Sequence, residues 1–157
     1  YLYFYVHNKY YKIPTFGKIT KIIDFARGTF KFKNEWIFSD VFGPDGEAEG
    51  QYTYPDDFKN IKNCANKPNT SFDLVRFSTT ILERIDEQPD VYNLIRKWCT
   101  SDDGSNMLDK EDNFELYIDI AHNCHNAVPI DVLNDKVFKI FTVKKEKIPK
   151  DAFIYKY

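Results

Sequence analysis

The sequence predicts an α+β chain, and three observations predict it. Ring-rich segments before residue 39 alternate apolar and polar residues and are broken by short polar turns. Apolar residues after residue 70 recur at helical spacing instead. Between them lies a glycine-bearing, acidic stretch with no periodicity, so strands come first and helices later rather than in alternation. At 157 residues the length fits one domain with a sizeable core.

Residues Leu2 to Val6 and Tyr10 to Ile13 read as the arms of a β-hairpin turning at His7-Asn8-Lys9. Pro14 and Gly17 interrupt the pattern, and Lys18 to Ile23 is expected as the next strand, burying Ile19, Ile22 and Ile23. That strand delivers Asp24 to its end with Phe25 beside it. A carboxylate is a hard oxygen ligand of the kind Mg²⁺ prefers, and a strand holds it more firmly than a loop. Asp is equally at home where a chain turns. A second hairpin follows: Thr29 to Phe32, a turn at Lys33-Asn34-Glu35, and Trp36 to Phe38.

Residues 39 to 55 lose periodicity and carry Gly43, Pro44, Gly46 and Gly50 among Asp40, Asp45, Glu47 and Glu49. Loops of this length in compact domains are commonly functional or disordered. A polar connector containing Cys64 continues to Pro68. Asn69, Thr70 and Ser71 are all competent N-caps for a helix. In that helix Phe72, Val75, Thr79 and Leu82 share one face, and Leu74, Ser78, Ile81 and Ile85 the next. Apolar residues on two faces predict burial on most sides. Asp73 sits in the first turn, either interacting with the helix dipole or acting as a buried acceptor for another loop's N–H groups; Arg76 is placed to reach back to it. Pro89 opens a second helix with Val91, Leu94, Ile95 and Trp98 inward. Asp112 or Asn113 caps a third that runs to about Asn126 and offers Phe114, Tyr117, Ile118, Ala121 and Cys124 to the core. The segment from Val137 to Tyr157 mixes rings with lysines and is expected to pack across the helices.

Composition bounds the function. Aromatics make up 17% of the chain, with 11 Tyr and 14 Phe, which predicts a core built on rings. The net charge of −2 and pI near 5.9, with acids and bases interspersed, leave no footprint for nucleic acid. Three separated cysteines argue against a disulfide framework and for a reducing compartment. No apolar run is long enough to span a bilayer and no secretory segment opens the chain. The expectation is a soluble intracellular protein with a protein substrate or binding partner, no nucleic acid and no membrane; the oligomeric state stays open.

His122, Cys124 and His125 invite a metal reading, but a helix turns the Cys away from the two His and structural zinc needs four ligands. Asp102-Asp103-Gly104-Ser105-Asn106 lacks the acid spacing and closing Glu of a calcium loop and is read as a turn. Cys64 has no nearby His, there is no glycine-flanked serine elbow, and the glycines of the long loop are not followed by a phosphate-cradling helix. Tyr52, Thr53 and Tyr54 are loop hydroxyls open to modification.

Hairpin, Asp24-Phe25, second hairpin, glycine-bearing loop and then a helix opening Ser71-Phe72-Asp73 form an order that resembles the C-terminal lobe of a protein kinase. More narrowly, Ile13-Pro14-Thr15-Phe16-Gly17 leading into Lys21-Ile22-Ile23-Asp24-Phe25-Ala26-Arg27 is similar to the divergent kinase-like proteins of giant DNA viruses. Gly46-Glu47-Ala48-Glu49-Gly50-Gln51-Tyr52, Ser71-Phe72-Asp73-Leu74-Val75-Arg76 and His125-Asn126-Ala127-Val128-Pro129 resemble further blocks of that group.

The resemblance implies a single partial domain over residues 1–157, a kinase-like C-lobe. Residues 1–38 form the hairpins with the Asp-Phe-Ala motif, 39–68 an activation-segment-like loop, and 69–157 the helical part. It implies that Asp24 binds the Mg²⁺ that bridges the phosphates of ATP, that Phe25 is the ring packing beside it, and that Asp73 is a structural anchor for the catalytic loop. Ala26 stands where kinases have Gly, which puts the backbone flip of that motif in question. Kinase chemistry also needs a Gly-rich loop, a Lys–Glu pair and a loop Asp and Asn, none visible here, and the chain opens on Tyr1 within a strand. The expectation is a fragment, inactive alone, whose parent transfers the ATP γ-phosphate to serine or threonine hydroxyls in the host cytoplasm. The alternative is a pseudokinase or scaffold that binds proteins without catalysis.

Overall fold

The computed structural model describes residues 1–51, 69–85 and 88–157. It is an α+β structure with a small mixed sheet, a two-stranded ribbon and a few helices. The chain divides into two compact units, one made of residues 1–23 and 133–157, the other of residues 24–132.

In the first unit, β1 (Leu2–Val6) and β2 (Lys9–Ile13) form an antiparallel hairpin with Val6 opposite Lys9. His7 and Asn8 between them have φ of 44° and 62°, the two left-handed positions of the turn type whose twist suits a two-residue hairpin loop. The C-terminal segment, expected to pack across the helices, supplies both outer strands of this sheet. β5 (Thr142–Val143) pairs antiparallel with β2, and β6 (Ile154–Lys156) pairs parallel with β1, giving the order β5-β2-β1-β6. Rings support this pairing: Phe4 stacks on Tyr155 at 5.3 Å and Tyr5 meets Tyr10 at 4.7 Å. Tyr3, Tyr11 and Ile148 are the buried apolar residues here.

No strand forms over Lys18 to Ile23. Thr15 accepts a hydrogen bond from Lys18 N–H at 2.8 Å across a turn in which Phe16 and Gly17 have positive φ, and the chain then runs irregularly to Phe25. Both flanks of the sheet are already taken by β5 and β6, so this stretch has no ladder to join, and a strand without one leaves its backbone groups to water. Ile22 and Ile23, expected in the core, are 81% and 80% exposed.

The second unit opens with a two-stranded ribbon, β3 (Phe30–Phe32) and β4 (Glu35–Ile37), whose turn residues Lys33 and Asn34 again have positive φ. Residues 39–51 are ordered rather than structureless. Ser39 caps a short 3₁₀ turn at Asp40–Phe42, Ala48 N–H donates to Val41 O at 2.8 Å, and Phe42, Ala48 and Gln51 are buried. Gly46 permits that fold: a Cβ there would lie 2.3 Å from Val41 O.

Three ten-residue helices follow: α1 (Phe72–Ile81), α2 (Pro89–Trp98) and α3 (Phe114–Asn123), with a short α4 (Pro129–Val132). Both α2 and α3 pack on α1. Pro89 starts α2 where its missing N–H costs nothing, and Leu94, Ile95 and Trp98 point inward as predicted. Asn113 caps α3 by accepting from Leu116 N–H at 3.3 Å. The buried face of α3 is Leu116, Ile120 and Ala121, continued by Cys124. Phe114, predicted inward, is 39% exposed.

Among the described residues, rings dominate the core only in the sheet unit; in the second unit Phe42 and Trp98 are the buried rings. The helical core is aliphatic and sulfur-bearing (Val75, Leu82, Ile120, Met107, Cys99), while Phe25, Phe30, Phe32 and Phe77 are exposed. Among the described residues no helix is long and apolar enough to cross a membrane.

Candidate functional site

Asp24, the carboxylate singled out in the sequence, is exposed on irregular backbone. Its own φ is 61°, so the left-handed residue of the Asp-Phe-Ala motif is the Asp, and Ala26 is not at positive φ. Asp tolerates this conformation because its short polar side chain bonds locally; Oδ1 accepts from Ala26 N–H at 3.4 Å. Phe25 is 71% exposed, and its carbonyl accepts from Gly28 N–H at 2.8 Å, closing a turn. Arg27 then pairs with Glu47 at 2.9 Å on the surface.

Mg²⁺ in a nucleotide site takes one or two protein carboxylates, several waters and the phosphates themselves. Asp24 is an exposed carboxylate on irregular backbone, not at the tip of the strand that was expected to hold it. Among the described residues no three His, Cys, Asp or Glu side chains converge as a metal group. His122 is exposed and Cys124 buried, while His125 Nδ1 faces Asp102 Oδ2 at 2.6 Å. Cys64, Tyr52, Thr53 and Tyr54 lie outside the described residues, as does the activation-segment-like loop from residue 52 to 68.

A dense polar constellation lies at the start of α1, in residues that the sequence marked only as caps. Asn69 Nδ2 donates to Ile120 O, Ala121 O and Cys124 O at 3.0, 3.1 and 2.8 Å, and its Oδ1 accepts from Ser71 N–H at 2.9 Å. One amide thus bonds carbonyls at and just past the C-terminal end of α3, where Ile120 O also accepts from Cys124 N–H at 3.3 Å, and holds the first turn of α1. Ser71 makes no side-chain cap; its buried Oγ accepts instead from Ala127 N–H at 3.2 Å. Asp73 is exposed in the first turn of α1, where a carboxylate interacts favourably with the helix dipole. Arg76 does not reach back to it. The guanidinium bonds Asp112 at 3.0 Å and lies over the Tyr117 ring at 4.9 Å, bracing α1 against α3.

Beside this clamp, the 101–105 turn is knitted by its own hydroxyls. Ser101 Oγ donates to Asp103 Oδ1 at 2.5 Å and Ser105 N–H to the same oxygen at 2.9 Å. The Ser101 bond first, then those from Ser105, hold the Asp103 carboxyl down to about 2. Burial pushes the Cys99 thiol up to about 12 and Cys124 up to about 11. Both are therefore neutral and unreactive at physiological pH, which removes them as nucleophiles.

No family model matches the chain, and no curated protein and no solved structure matches it.

Proposed function

We propose that this chain is the metal-binding and helical part of a protein kinase-like domain. Asp24 supplies one carboxylate to the Mg²⁺ of bound ATP, and the γ-phosphate passes to protein serine or threonine hydroxyls in a longer protein that adds the catalytic loop. One observation carries the reading: blocks far apart in sequence that resemble the same family are joined to one another. Ser71 bonds Ala127 across 56 positions, and Arg27 bonds Glu47. Gln51 is buried, and a Cβ at Gly50 would lie 4.0 Å from Ile118 Cδ1, setting that loop beside α3. Blocks of one motif set that contact one another fit a shared scaffold better than independent surface turns.

The chain's own residues divide the work. Asp24 bears negative charge toward the metal, α1 forms the spine on which α2 and α3 pack, and Arg27 ties the Asp24 turn to the 46–51 loop. When bound, Mg-ATP supplies the transferable phosphoryl group and the charge neutralisation that phosphoryl transfer requires. In the longer protein, Asp24→Asn is expected to abolish Mg-ATP-dependent labelling of a serine- and threonine-containing substrate protein. Labelling that persists unchanged excludes the role given to Asp24.

A non-catalytic protein-binding module of the same fold is the second reading, favoured by exposed apolar side chains: Phe16, Ile22 and Ile23 of the sheet unit are 90%, 81% and 80% exposed, and Phe25 of the second unit is 71% exposed. If Asp24→Asn leaves partner capture intact while Phe25→Asp and Ile22→Asp abolish it, this reading replaces the catalytic one.

A further inference from the structure

The sheet unit carries a concave basic site whose lining does not include Asp24. A cleft of about 550 Å³ opens where β5 pairs with β2, and four lysines line it (Lys9, Lys139, Lys144 and Lys145) against one acid, Glu146. The chain as a whole has a net charge of −2, so cations are concentrated here against the overall balance. Tyr11, 5% exposed, also lines the cleft.

Backbone structure fixes the positions from which these side chains leave. Lys9 begins β2, and its Nζ donates to Asn134 Oδ1 at 3.1 Å. Lys139 lies in the 3₁₀ turn Lys136–Phe141, whose end is held by Thr142 Oγ1 donating to Lys139 O at 2.7 Å. Lys144 and Lys145 accept through their carbonyls from Lys147 and Ile148 N–H at 3.0 and 3.1 Å. Among the described residues Lys139, Lys144 and Lys145 form no ion pair. Like charges gathered around one concavity repel each other, and an anion that enters relieves that repulsion. The volume falls within the range of small-molecule sites, and four lysines around one space suit a ligand with several phosphates better than one with a single phosphate.

We infer that this cleft binds a small molecule bearing clustered phosphate groups, held by Lys9, Lys139, Lys144 and Lys145. The source can be a free polyphosphate compound or the headgroup of a lipid. Inorganic tripolyphosphate, titrated calorimetrically into the 157-residue chain in EDTA, is the probe. Tripolyphosphate is expected to bind more tightly than orthophosphate and to weaken as salt rises. Lys139→Glu/Lys145→Glu is expected to weaken binding at least about tenfold, on the scale of charge-assisted hydrogen bonds, with an unchanged melting temperature. Asp24→Asn is expected to bind tripolyphosphate like the parent, which separates this site from the kinase-like reading. Vesicles of phosphatidylcholine with phosphatidylinositol bisphosphate distinguish the headgroup: co-sedimentation lost in the double variant assigns the lipid source, and no co-sedimentation assigns the free one. The inference is overturned if tripolyphosphate binds no better than orthophosphate, or if the folded double variant binds it as well as the parent.

Discussion

Replacing Asn69 by Ala is expected to cost far more stability than its place in a connector suggests. The amide carries two hydrogens, aimed at three carbonyls 2.8 to 3.1 Å away, so one hydrogen is shared; its oxygen accepts the Ser71 N–H at 2.9 Å. Three bonds at a net ~1 kcal/mol each give about 3 kcal/mol. The site is only part-buried, and water that reaches the stripped carbonyls reduces the loss, so roughly 2–3 kcal/mol is expected. For a chain of this size about 3 kcal/mol corresponds to a melting temperature lower by roughly 6–12 °C. Urea unfolding followed by circular dichroism reads the difference. Asn69→Asp sharpens the test: it keeps the size and the acceptor but turns a carboxylate oxygen toward three carbonyls, and at pH 7 it is expected to be at least as damaging as Ala. A loss under about 0.5 kcal/mol for Asn69→Ala, the range of an ordinary surface change, refutes the clamp, and so does an Asp variant milder than the Ala one.

Three further outcomes follow from the same structure. Cys99 and Cys124, buried with raised thiol pKa values, should resist a thiol-reactive disulfide reagent at pH 8 in the folded chain and react once urea unfolds it; prompt labelling of either in the native state contradicts their placement. Asp103, held down to about 2 by Ser101 and Ser105, should titrate with an NMR midpoint near that value. Because its folded pKa is depressed, its contribution is complete above the unfolded carboxylate value of about 3.8 and is lost as pH falls toward 2; Asp103→Asn should remove that acid-dependent part, and a midpoint near 4 contradicts the hydrogen-bond assignment. Gly46→Ala places a Cβ 2.3 Å from Val41 O and should destabilise by ~1–3 kcal/mol, as overpacking does, whereas an unchanged urea midpoint shows the loop is looser than described.

Much of the fold was legible because local signals and packing agreed. Asn8 and Asn34 mark turns, and both hairpins form; Pro89 starts its helix, and Leu94, Ile95 and Trp98 bury at the spacing that predicts it. Lys18 to Ile23 failed for a non-local reason. Its isoleucines carry β propensity, but a strand needs a neighbour, and the sheet's outer places go to Thr142–Val143 and Ile154–Lys156 from the far end of the chain. No local pattern announces such pairing. Helix α3 misled through its rings: Ala121 and Cys124 bury as expected, but Leu116 and Ile120 take the places expected of Phe114 and Tyr117. At the site, Asp24 and Phe25 were singled out by residue type, and the structure gives their exposure. Asn69 was visible only as a cap, since its three carbonyl partners lie more than fifty positions away. An Asn two residues before a Ser at the mouth of a helix is the signal that could have raised it.

Under the proposed function, Asp24 faces a nucleotide-bound metal. The direct measurement is the Mg²⁺ dependence of ATP binding by the longer protein, by calorimetry, for the parent and for Asp24→Asn. The account predicts that Mg²⁺ strengthens ATP binding in the parent and that the Asn variant loses this enhancement while still binding ATP in EDTA. Equal Mg²⁺ enhancement in the two proteins contradicts it.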